Sequence, residues 1–87
     1  MTLTLQLFGA FRELESSGRL TLELPEHARV ADLRLAFAEA AKARHGERFR
    51  PGLLAVSVFA SDQELLREDC ALAGLAQVAV LPPVSGG

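Results

Sequence analysis

The chain has 87 residues and a formal charge of −2, with 49% apolar and 23% charged residues. That length holds one domain, and the composition is that of a chain that builds a core rather than stays disordered. Its basic residues, eight arginines and the single lysine Lys42, are scattered, which argues against a nucleic-acid binder with a basic stripe. Cys70 is the only cysteine, so no internal disulfide or cysteine-based metal cluster can form, and it reads as a small, partly buried thiol. No metal site is expected: His27 and His45 sit in polar segments with no ligand spacing around them. The first residues alternate and lack the basic start of a signal peptide. No apolar run approaches the ~20 residues of a membrane span. A cytoplasmic protein is expected.

Thr2-Leu3-Thr4-Leu5-Gln6-Leu7 alternates strictly, which predicts a half-buried strand with its leucines on one face. Phe8 falls on the opposite face. Residues 9–14 read as a bend or short helical turn and residues 15–18 as a loop. Alternation resumes from Arg19 to Leu24 with Leu20, Leu22 and Leu24 inward, and Pro25 ends this second strand. The two strands should form a hairpin with a long connection.

From Val30 to about Arg44 the period becomes helical, with Val30, Leu33, Ala36, Phe37, Ala40 and Ala41 on one stripe. The start has Arg29 where a capping side chain would stand, so Asp32 in the first turn carries the N-terminal electrostatics. Gly46 is the expected stop. Residues 45–52 read as a connecting loop and the apolar run 54–60 as a third strand. A tight turn at 61–63 then leads to a short strand at 65–67, and residues 68–77 form a loop. Residues 78–81 make the last strand. The order ββαβββ predicts an α+β fold, a mixed sheet of four to five strands with one main helix across one face. This is the β-grasp, ubiquitin-like arrangement, in which the last strand lies beside the first.

The tail is the most informative stretch. The domain is expected to span residues 1–81 and a flexible C-terminal tail residues 82–87, Pro-Pro-Val-Ser-Gly-Gly. Prolines favour extended backbone and hold a tail off the body. Glycine without a Cβ passes a channel too narrow for other residues. A glycine pair alone is weak evidence, because chance or an idle tail also produces it. Two prolines between it and a strand make it stronger.

Several stretches resemble the small subunit of molybdopterin synthase. They are Leu7-Phe8-Gly9-Ala10-Phe11-Arg12-Glu13-Leu14, Val30-Ala31-Asp32-Leu33-Arg34, Gln63-Glu64-Leu65-Leu66-Arg67-Glu68-Asp69 and, most specifically, Val78-Ala79-Val80-Leu81-Pro82-Pro83-Val84-Ser85-Gly86-Gly87. Two departures stand out. Gly74-Leu75-Ala76-Gln77 replaces an acidic turn common in the family, and Asp62 stands where the family prefers Asn. The resemblance implies a sulfur carrier that lacks a general base of its own and binds no cofactor. A ubiquitin-activating-like adenylyltransferase would use ATP to adenylate Gly87, and a sulfur donor acting through that enzyme would convert it to a thiocarboxylate. Gly86 would allow passage of the tail. The large catalytic subunit of molybdopterin synthase, in a heterotetramer, would then transfer the sulfur to cyclic pyranopterin monophosphate.

Alternation further predicts that Phe8, Leu65 and Leu81 form an apolar patch on the open sheet face that docks these partners together with Pro82, Pro83, Val84 and Ser85. The alternative is that a curl of the sheet or the 9–18 loop covers the three residues. Three other functions fit the sequence: a sulfur carrier for thiamine, cysteine or tRNA thiolation, a ubiquitin-like modifier of lysines, and a plain interaction domain.

Overall fold

Alternating leucines set the layers of the molecule. A computed structural model describes residues 1–75 and 77–83. In it, β1 (Thr2–Leu7) buries Leu3, Leu5 and Leu7 and turns Thr4 and Gln6 the other way. The second strand, β2 (Arg19–Glu23), pairs antiparallel with it and sets Leu22 opposite Leu3 and Leu20 opposite Leu5. Their connection is a 3-10 turn, Gly9–Leu14, whose Phe11 folds back into the core.

Helix α1 (Val30–His45) covers the leucine face with Val30, Leu33, Phe37 and Ala41 fully buried and Ala36 and Ala40 packed beside them. Its weak start is mended by Asp32, whose carboxylate accepts the Arg29 N–H at 2.8 Å. Its end is Gly46, at φ 57, where the N–H returns to the Lys42 carbonyl. Phe37 lies edge-on between Phe11 and Phe49, with centroids 5.5 and 6.0 Å away. Such edge-to-face pairs add stability beyond the area they bury.

The expected third strand is only half present. The run 54–60 begins in a one-turn helix, α2 (Pro51–Ala55), and only β3 (Val58–Ala60) is extended. Pro51 explains the difference, since its ring fixes a helical φ and its missing N–H is unneeded in a first turn. Ser57, buried between the two elements, donates its hydroxyl to the Leu53 carbonyl at 2.7 Å and closes the turn. A short apolar run carries no period that separates a helix from a strand.

Two further strands, β4 (Leu65–Leu66) and β5 (Gln77–Leu81), complete a five-stranded sheet of order β2-β1-β5-β3-β4. β5 runs parallel to β1 and antiparallel to β3. The fold is the β-grasp that the order of elements implied. Among the described residues no helix is long and apolar enough to cross a membrane.

Candidate functional site

β5 is paired along both edges, by β1 and by β3. The chain that follows it therefore leaves from the middle of the sheet, anchored by two ladders. Val78 and Val80 point into the core, so parity sends Gln77, Ala79 and Leu81 to the open face. Leu81 is half-buried there, directly across from Val58, which is 43% exposed. Phe8 keeps an extended backbone (φ −129, ψ 163) after Leu7, on the face opposite the leucines, and is 41% exposed.

Pro82 packs on Gly9. A Cβ at that glycine would stand 2.7 Å from the Pro82 Cγ, and the residue sits at φ +57, where side chains are strained. Both the close approach and the backbone therefore call for glycine. Phe8, Ala10, Arg50, Leu53 and Leu81 join the two prolines in lining an open hollow of about 690 Å³. A second apolar hollow, of about 520 Å³ beside Ala38, Lys42, Phe49 and Pro51, shares no residue with it.

The structure thus gathers four of the expected partner-binding residues, Phe8, Leu81, Pro82 and Pro83, around one hollow. Leu65 is 67% exposed on the same face but lies apart, paired with Ala60, which is paired in turn with Ala79. The part of the open face on β1 and β2 is polar, with side-chain hydrogen bonds from Thr2 to Glu23 (2.5 Å), between Thr4 and Thr21 (3.5 Å), and from Gln6 to Gln77 at the start of β5. Leu65 apart, the large apolar side chains of the face, Phe8, Val58 and Leu81, gather at the end from which the tail leaves. Val84, Ser85, Gly86 and Gly87, the other expected site residues, lie outside the described residues.

Two ion clusters hold the frame around this site. The Arg34 guanidinium grips both Glu68 oxygens at 2.9 and 2.7 Å and donates to the carbonyls of Leu54 (2.5 Å) and Ser57 (3.0 Å). It also lies 4.9 Å over the Phe59 ring. Arg34 holds the Glu68 carboxyl below the usual carboxylate range, an effect that burial opposes.

Glu15, in the β1–β2 connection, accepts two hydrogen bonds from Arg44 at 2.9 and 3.0 Å and lies 2.7 Å from the His45 Nε2. Arg44 is the main reason its carboxyl is lowered, with burial acting the other way and His45 adding to the lowering. His45, in a segment that reads as polar, is only 12% exposed because Glu15 reaches over the helix end to meet it. Sequence reasoning also missed Gly9, Arg50 and Val58. Only Gly9, between Phe8 and a short turn, carried a local signal.

A model of the ThiS family matches residues 5–87. A comparison with curated proteins found no match. Among solved structures, SAMP1 from Haloferax volcanii superposes with a TM-score of 0.74 at 25% identity, covering 100% of both chains. A candidate molybdopterin converting factor subunit 1 from Pyrococcus furiosus superposes with a TM-score of 0.65 at 27% identity, covering 97% of this chain and 99% of that one. A further structure of H. volcanii small archaeal modifier protein 1, at 21% identity and a TM-score of 0.71, shares the fold. With the match running from β1 through the final glycine, the chain belongs to the ThiS family of β-grasp sulfur carriers and ubiquitin-like modifiers.

Proposed function

We propose that this chain is the sulfur-carrier subunit of a molybdopterin synthase, and that the Gly87 carboxyl, as the free terminus of the working chain, is the carrier atom group. The observation that carries this reading is the run Leu81-Pro82-Pro83-Val84-Ser85-Gly86-Gly87 leaving a doubly paired central strand, in a chain whose family match extends to its last residue. The likeness to a candidate molybdopterin converting factor subunit supports the pterin pathway.

The chemistry follows from what a carboxylate lacks. Its anion repels nucleophiles and offers no leaving group, so the activating enzyme joins the Gly87 carboxylate to AMP from ATP and releases pyrophosphate. The terminal sulfur of a persulfide on the activation machinery attacks the carbonyl carbon, and AMP leaves. A second thiol then cleaves the S–S bond, becomes oxidised to a disulfide, and frees the Gly87 thiocarboxylate. In the synthase the large subunit supplies acid–base catalysis and binds cyclic pyranopterin monophosphate, while this chain supplies sulfur. The ATP is used by the activating enzyme, and no metal takes part on this chain.

The body serves as a handle. The hollow at Phe8 and Leu81 gives a partner something to grip while the tail is threaded, and Pro82, seated on Gly9, limits the directions the tail leaves in. Each residue ordered on binding opposes affinity by about 1 kcal/mol, so a tail held straight in advance binds more tightly.

The modifier reading has one specific support, the fit to SAMP1 over the whole chain. Lys42, exposed on α1, would then be the only lysine through which copies could be linked. Deleting Gly87 tests the reading against a plain docking module. The carrier loses all sulfur transfer while its affinity for the large subunit stays within a few-fold. Sulfur transfer that survives the deletion would refute it. Adding one residue after Gly87, or Gly86→Val, should block adenylation without changing the circular dichroism spectrum.

A further inference from the structure

Cations border the apolar hollow at the root of the tail. Arg50 lines it together with Phe8, Leu81 and the prolines. Arg12 and Arg19 line a smaller hollow of about 240 Å³ that also has Phe8 in its lining. All three arginines are exposed. Among the described residues the ion pairs use Arg34, Arg44, His45 and Arg67, and none of these three arginines has a carboxylate within 4 Å.

The strand registers give this arrangement a direction. Arg19 pairs with Gln6 at the end of the sheet where the tail leaves, and Glu23 pairs with Thr2 at the far end. β3 runs antiparallel to β5, so Val58 lies at the tail end, and the turn after Ala60, with Asp62 and Glu64, lies at the far end. A chain of net charge −2 therefore shows a local positive border around its docking hollow, while the opposite end carries Glu23, Asp62 and Glu64 against the single Met1 ammonium, bonded to the Leu24 carbonyl.

An apolar centre rimmed by arginine is the anatomy of a protein interface. The guanidinium fork matches a carboxylate in two parallel hydrogen bonds. We propose that the partner that takes the tail presents an apolar projection edged by carboxylates, which pair with Arg12, Arg19 and Arg50. This proposal rests on the carrier reading, because the partner meant is the adenylating enzyme that modifies Gly87. An acidic partner surface attracts the tail end and repels the end carrying Glu23, Asp62 and Glu64. The field thus turns the terminus towards the active site before contact, which raises the rate of productive encounter more than the final affinity.

The test measures association of the full-length chain with the immobilised adenylating enzyme at about 50 mM and about 500 mM NaCl, where screening lengths differ severalfold. Wild-type association should slow about tenfold or more at the higher salt. Arg12→Gln, Arg19→Gln and Arg50→Gln should each weaken low-salt binding about two- to fivefold and match the wild type at high salt. Arg19→Glu combined with Arg50→Glu should slow association by more than about tenfold. Lys42→Gln, which removes a cation outside the border, should change neither value.

Salt-independent binding with Gly87 still adenylated would overturn this proposal alone, as would a loss from Lys42→Gln equal to that from Arg50→Gln. No binding by the wild type at low salt would overturn the carrier reading and this one with it. Self-association that depends on the same three arginines would assign the border to a second copy of the chain, against the proposal.

Discussion

Replacing Arg34 with leucine should destabilise the domain by about 3 kcal/mol. The side chain is 21% exposed and ties together three elements that do not otherwise share a ladder: α1, the end of α2, and the strand pair β3–β4. Two carbonyls accept from it, that of Ser57 and that of Leu54, which also accepts the Ser57 N–H at 3.0 Å. Hydrogen bonds from a charged donor contribute about 1.5–3 kcal/mol when isolated, and partial rehydration of both carbonyls brings their joint loss to roughly 2. The guanidinium over Phe59 adds about 0.5–1 kcal/mol. The ion pair with Glu68 adds less than about 1, because Glu68 is 52% exposed and screened by water.

A loss near 3 kcal/mol lowers the Tm of a domain this size by roughly 12–24 °C. Arg34→Lys, which keeps the charge and loses the fork, should lie about halfway between. Thermal and urea unfolding followed by circular dichroism would measure both variants. A Tm within about 3 °C of the wild type for Arg34→Leu would show instead that water replaces these bonds without penalty.

Glu15 supplies a pH dependence whose sign is fixed. Its carboxyl is lowered in the folded state, so the stabilisation is complete above the ordinary carboxylate range and disappears as the pH falls through the lowered value. Urea titrations should show wild-type stability falling below about pH 5, with a flatter curve for Glu15→Gln; parallel curves would count against the Arg44–Glu15 attachment. Phe8→Ala and Leu81→Ser should each weaken binding of both the activating enzyme and the large subunit by over about 1 kcal/mol with little change in Tm. If either variant unfolds the domain and spares binding in what remains folded, that residue belongs to the core. Replacing Pro82 and Pro83 with glycine should weaken partner affinity about ten- to thirtyfold and keep sulfur transfer, and unchanged affinity would reduce the prolines to strand ends.

Much of this fold was legible because its core obeys simple periods. Leu3, Leu5, Leu7, Leu20 and Leu22 alternate and are all buried, and Val30, Leu33, Phe37 and Ala41 recur at helical spacing and are buried too. What escaped was set by partners remote in sequence. Arg34 lies off the apolar stripe and looks solvated until Leu54, Ser57 and Glu68 close on it from 20, 23 and 34 residues away. His45 looked free for the same reason, since Glu15 meets it from 30 residues upstream. The helix at Pro51–Ala55 was hidden by an apolar run too short to show a period. At the candidate site, parity placed Phe8 and Leu81 on the open face, but Leu65 shares only the face and not the hollow, which parity does not resolve. Arg50 comes to the hollow from a connection with no pattern of its own.

The measurement closest to the central claim is the intact mass of the full-length chain after incubation with its activating enzyme, ATP and a sulfur donor. Exchange of one Gly87 oxygen for sulfur adds about 16 Da, and the account predicts that shift on the wild type, its loss on deletion of Gly87, and its reversal when the large subunit and cyclic pyranopterin monophosphate are added. A chain that stays folded and binds the activating enzyme yet never gains the mass, or gains it at a residue other than Gly87, would contradict the account.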